Sequence, residues 1–193
     1  MLKGVTMWYK LYHDYNGTPR EVSNYCFMNY KNSNKREKTV SFLLRFPFRG
    51  FYHLALMATD VYPSKPDEIV YNYLIRVQDP SHDVESFPVV VNPILWKNCC
   101  LVAPKNYRLN NYDVHFSIIV PNTNEVVVSA NDRVVEKLEA REIENSWVGL
   151  VSLNEHLNSR FIYIEAEFEQ KYKKLLKFKG FRDTSVTSEN YFD

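Results

Sequence analysis

The stretch Thr39–Thr59, TVSFLLRFPFRGFYHLALMAT, constrains this chain most. Val40, Phe42, Leu44 and Phe46 alternate with Ser41, Leu43 and Arg45. After Pro47–Gly50 the alternation resumes at Tyr52, Leu54, Leu56 and Ala58. Apolar residues at every second position mark strands with one face in a core. Pro47 removes a ladder donor and Gly50 gives the turn backbone freedom. The pattern predicts two adjacent antiparallel strands joined by a tight turn.

The flanking sequence repeats this plan. Val5–His13 and Val22–Tyr30 read as strands around the turn-rich segment 14–20, whose Asn-Gly pair is a hairpin signal. Lys31–Lys38 reads as a basic loop and 60–67 as a connector. Ile69–Val77 reads as a strand with Ile69, Tyr71, Tyr73 and Ile75 on one face. Gln78–Pro88 has no periodicity and two prolines, so it reads as a boundary. Beyond it, strands are expected at Cys99–Ala103, Val114–Val120, Glu125–Ala130, Val134–Leu138, Trp147–Leu153, Phe161–Glu169 and Lys174–Phe178. A helix over Arg133–Ile143 competes with the strand pair that follows Val126–Val128, and the strand pair is the stronger reading. The expectation is an all-β chain of two β-sandwich modules. The first spans 1–80, its completeness depending on its N-terminal segment. A linker at 81–92, a second sandwich at 93–181 and a polar tail at 182–193 follow.

Composition narrows the function. Tyrosine (14) and phenylalanine (12) are abundant while glycine is scarce (5), which favours strands. A net charge of +1 supplies no field toward nucleic acid. No apolar run reaches the roughly 18 residues of a membrane span. The three cysteines, Cys26, Cys99 and Cys100, are an odd set without metal-ligand spacing, as expected of reduced thiols in a cytoplasmic protein. They and the five scattered histidines lie in no recognisable nucleophile context, so no catalytic, cofactor or metal residue is assigned. Trp96 and Trp147 are expected in cores. Tyr9, Tyr12 and Tyr15 could line a small-molecule- or carbohydrate-binding sandwich, but packing against the sheet or at the domain junction is the stronger reading. One basic, aromatic-interleaved strand stands out. Lys171, Lys173, Lys174, Lys177 and Lys179 form the candidate partner surface, with a lysine-guarded edge strand as the simpler alternative.

With the strands placed, a family pattern is visible. Phe87-Pro88, Trp96, Cys100–Pro104, Leu109, Phe116–Pro121, Val126–Val128, Trp147–Gly149, Ile164–Phe168 and Leu175–Phe178 follow one another in order. In that order and spacing, the second half resembles the immunoglobulin-like modules of the kyphoscoliosis peptidase and hillarin family. Phe42–Pro47, Gly50–Leu54 and Tyr73–Ile75 resemble the preceding module. The resemblance implies two immunoglobulin-like sandwiches. The family's catalytic Cys, His and Asp belong to a transglutaminase-like core for which no matching segment is found here. It thus implies a non-enzymatic interaction module with a cytoskeletal protein partner. The alternative is an accessory part of a transglutaminase-like cysteine peptidase.

Overall fold

The computed structural model describes residues 6–15, 17–33, 37–59, 68–81, 84–142, 145–156 and 158–180. The connector read at 60–67 and the tail at 182–193 lie outside them. The chain divides into two units: 1–29 with 39–87, and 30–38 with 88–193.

The first unit opens with β1 (Thr6–Tyr15) and β2 (Thr18–Glu21), followed by a single 3-10 turn at Ser23–Tyr25. Next come β3 (Cys26–Ser33) and β4 (Glu37–Leu44), of which residues 26–29 and 39–44 belong to this unit, and β5 (Gly50–Thr59) and β6 (Glu68–Val77) complete its set. The Asn-Gly signal marks the β1–β2 hairpin. Tyr15 pairs with Thr18, Gly17 adopts φ 80°, and its N–H donates to Asp14 Oδ1 at 2.9 Å.

The organising stretch is not a hairpin. β4 pairs with β3, whereas β5 lies between β1 and β6 in the sheet β2-β1-β5-β6. The chain leaves one sheet after Leu44 and enters the other at Gly50. Tyr52 Oη fixes this arch by donating to Phe48 O and accepting from Phe48 N, each at 2.9 Å. The alternation was read correctly as to face. Tyr52, Leu54 and Leu56 form a core with Leu11, Val22 and Cys26, and Phe42, Leu44 and Phe46 pack against it. Two alternating runs that share a core can face each other across it as well as lie side by side. A second correction concerns 31–38: β3 continues to Ser33 and β4 begins at Glu37, where a loop was expected.

The segment 84–87, read as linker, is held to the first unit. Phe87 N–H donates to Asn24 O at 2.9 Å, and its ring lies 5.7 Å from Phe27. Arg45 Nη1 donates to Glu85 O at 2.6 Å while the guanidinium stacks 4.1 Å from the Phe87 ring.

The second unit contains β7 (Val89–Val90), β8 (Cys100–Ala103), β9 (Asp113–Ile119), β10 (Val126–Ala130) and β11 (Arg133–Lys137). It continues with β12 (Glu139–Ala140), β13 (Ser146–Ser152), β14 (Phe161–Phe168) and β15 (Lys171–Lys179). The strands β7 and β12 are too short for periodicity to reveal. One sheet runs β12-β13-β9-β8 and the other β11-β10-β14-β15-β7. This is the strand order of an immunoglobulin sandwich, four strands against a C–F–G sheet (β10-β14-β15) extended by one strand at each edge. The core fills with Phe116, Ile118, Val151, Ile162, Ile164 and Phe178, all essentially without exposure. Phe116 and Phe178 meet edge-to-face at 5.7 Å across the two sheets. Trp96 and Trp147 are buried, as expected. The stretch 133–137 is a strand pairing with β10, so the helical alternative does not form.

Candidate interaction surfaces

The five lysines of β15 do not share one face. A bulge between Ile164 and Glu165 shifts the β14–β15 register. N-terminal to it, Lys171 and Lys173 stand opposite Phe168 and Ala166, on the phase that points inward along β14. Lys174, Lys177 and Lys179 stand opposite Glu165, Tyr163 and Phe161, on the outward phase. The bulge sets Leu175 and Leu176 side by side in the core, and sequence spacing alone gives no sign of such a phase change.

The outward lysines are held in place by their neighbours. Lys174 Nζ lies 2.6 Å from Asp132 Oδ1 and 4.2 Å from the Tyr163 ring. Its hydrogen bond to the Asp132 carboxylate raises its pKa above the ordinary lysine value. Lys177 Nζ lies 4.8 Å from the Phe161 ring and the Arg160 guanidinium 5.1 Å from it. Tyr107, Arg160, Phe161, Lys179 and Gly180 line a recess of about 190 Å³ beside them. The result is a row of cations stacked on two aromatic rings, suited to a carboxylate-bearing partner.

The first unit presents a different surface. On the outer face of its large sheet, Tyr12, His53 and Leu74 lie in one cross-strand row, with Phe51 and Arg76 in the next. Tyr12 stacks on His53 at 6.2 Å, and His53 Nε2 is 2.9 Å from Asn72 Oδ1. A largely apolar recess of about 580 Å³ opens there, with Pro19, Phe51 and Leu74 in its wall. Of the three tyrosines near the N-terminus, Tyr9 packs against the core and Tyr12 lies on this outer face.

The Cys26 and Cys99 thiols are buried, and Cys100 is half-buried. Burial pushes Cys26 up to about 12, and burial with a smaller contribution from Cys100 does the same to Cys99. Cys99 Sγ donates to Leu95 O at 3.4 Å. Among the described residues, no three of His, Cys, Asp or Glu converge as a metal site, and no helix is long and apolar enough to cross a membrane.

Fold and surfaces together define an immunoglobulin-like, two-sandwich protein. Residues 1–88 match the family model of the KY-like, immunoglobulin-like domain, and the first unit is an immunoglobulin-like module of the kyphoscoliosis peptidase family. Comparison with the curated proteins finds no match.

Proposed function

We propose that this chain is a non-catalytic protein-interaction module of a cytoplasmic, cytoskeleton-associated scaffold related to kyphoscoliosis peptidase, and that its second unit recruits an acidic protein. The family match supports the module. The observation that carries the surface is the pair Lys177 and Arg160 over one ring, Phe161, with Lys179 opposite that ring in register. Cations already placed over an aromatic face lose less side-chain freedom when a carboxylate arrives. Burial that holds the Cys26 and Cys99 thiols protonated supports the non-catalytic reading, because the thiolate is the nucleophile.

The test is capture from cell lysate on the immobilised chain, read by mass spectrometry. Wild type should retain an acidic cytoskeletal protein. Lys177→Glu with Lys179→Glu should release it, while Lys171→Glu with Lys173→Glu, on the other phase of the strand, should not. Equal retention by wild type and the Lys177/Lys179 variant, or no retained acidic protein, overturns the proposal.

A further inference from the structure

The cations on the outer face of the second unit are not all neutralised. Lys174 is paired with Asp132. Among the described residues, no carboxylate forms an ion pair with Lys177, Lys179, Arg160 or Arg108. Arg108 joins this group through a parallel bridge to Lys179. The bridge is fixed by Lys179 N–H donating to Tyr107 O at 2.8 Å and Leu109 N–H donating to Lys179 O at 3.1 Å. Arg108 and Arg160 are exposed, and Lys177 and Lys179 are half-buried. Like charges gathered without a counter-charge favour an anion between them.

The recess among them sets the size of that anion. Its wall is Tyr107, Arg160, Phe161, Lys179 and Gly180, and its volume is about 190 Å³. Pockets for whole small molecules begin at roughly 300 Å³, so this one takes a single side-chain head group. The Tyr107 phenol lies within electrostatic range of Tyr163 and Arg160. Burial, and then Tyr163, raise its pKa above the ordinary value, so its hydroxyl remains a donor. A guanidinium fork, a phenolic O–H and two ammonium groups exceed what the single charge of a carboxylate can use. They match a phosphate monoester, with its charge of about −1.5 to −2 and three acceptor oxygens.

The rest of the face does not suit an extended anionic plane. Beyond Phe161 and Tyr163, the next positions on the same phase of β14 are Glu165 and Glu167. A lipid surface would meet these carboxylates together with the cations. One phosphorylated side chain meets the cations alone.

We propose that the recess at Arg160, Phe161 and Lys179 binds a phosphorylated side chain of the protein partner, with Lys177 and Arg108 supplying flanking charge. This rests on the reading of the same face as the acidic-partner surface, and it names the group that is read there.

The test is a nuclear magnetic resonance titration of the full, isotope-labelled chain with phenyl phosphate, ethyl phosphate, inorganic phosphate and phenylacetate. The amides of Phe161, Lys179 and Gly180 should shift saturably with an ester, at an affinity about tenfold or more above that of phenylacetate. The tighter ester tells whether the side chain is aryl or alkyl. Arg160→Gln and Lys179→Gln should each weaken ester binding about tenfold with an unchanged circular dichroism spectrum, and Lys171→Gln should not. No saturable shift at these amides overturns the proposal. Equal affinity for phenyl phosphate and phenylacetate also overturns it, while leaving the acidic-partner reading standing. Inorganic phosphate binding as tightly as either ester overturns it, because the site then takes a free ion. So does co-sedimentation with phosphatidylserine vesicles that Arg160→Gln abolishes, because the face is then a lipid surface. Ester binding without capture of an acidic protein from lysate supports this site and overturns the acidic-partner reading alone.

Discussion

Tyr9 Oη donates a 2.5 Å hydrogen bond to the carbonyl oxygen of Cys26, tying β1 of one sheet to β3 of the other. Both groups sit in the first core, and burial raises the pKa of the Tyr9 phenol and of the Cys26 thiol. Replacing Tyr9 by Phe keeps the ring, which meets Phe42 edge-on at 5.9 Å, and strands the carbonyl. The expected loss is about 1–3 kcal/mol, the cost of an unsatisfied buried acceptor. Urea unfolding of the two proteins measures it as a lower midpoint at unchanged slope.

The same burial sets a response to alkali. Cys26 and Cys99 are raised from 9.0 to about 12, so folding favours their protonated forms. Below pH 9 both folded and unfolded chains keep these protons, and the stabilisation is complete. Between pH 9 and 12 only the unfolded chain releases them, and stability falls by about 1.4 kcal/mol per pH unit for each thiol. Denaturant midpoints across this window should drop steeply in wild type. They should drop less steeply in Cys26→Ala when read by a probe in the first unit.

Gly180 is fixed by a close approach. A Cβ there would lie 2.1 Å from the carbonyl oxygen of Ser159, and its own N–H donates to Arg160 O at 3.1 Å. The obstacle is backbone, so Gly180→Ala must displace the loop before β14 or the end of β15. A loss of about 3 kcal/mol is expected, in the range of overpacked interior sites. Thermal unfolding followed by near-ultraviolet circular dichroism would show it.

Arg45 anchors the segment 84–87. Arg45→Ala removes the donor to Glu85 O and the cation over Phe87. Amide exchange at residues 84–87 should accelerate about tenfold or more, corresponding to a local loss near 1.5 kcal/mol. Exchange in β9 and β14 should not change. Equal acceleration in both units would show that this segment is not a local clamp.

Much of this fold was legible because alternation reports which side of a strand is wet. Phe116 and Ile118 in β9, and Ile162 and Ile164 in β14, recur at every second position within stretches read as strands, and all four are buried. What alternation cannot report is the neighbour. The runs ending at Leu44 and starting at Tyr52 point into one core from opposite sheets, and no local feature distinguishes that arch from a hairpin. Nor can it report a bulge. One extra residue beside Glu165 turned a row of five lysines into groups of two and three on different phases. A shift near Val70 likewise set Ile69 opposite Met57, out of phase with Tyr71 opposite Leu56. The exposure of Tyr71 and Tyr73 is a tertiary fact. Their pattern matches a buried strand, yet Tyr71 is 58% and Tyr73 50% exposed.

The arch between β4 and β5 also governs the order in which a nascent chain can assemble. With β4 committed to the other sheet, β5 finds its neighbours only in β6, still to be synthesised, and in β1, far behind it, where Leu11 must reach Leu54. Long loop closures of this kind are slow relative to local pairing. The β1–β2 hairpin therefore leaves the ribosome with an open edge and waits for its partner. During that interval the first unit is a template for mispairing, and its exposure ends when residues 50–77 emerge and the central strand closes the sheet.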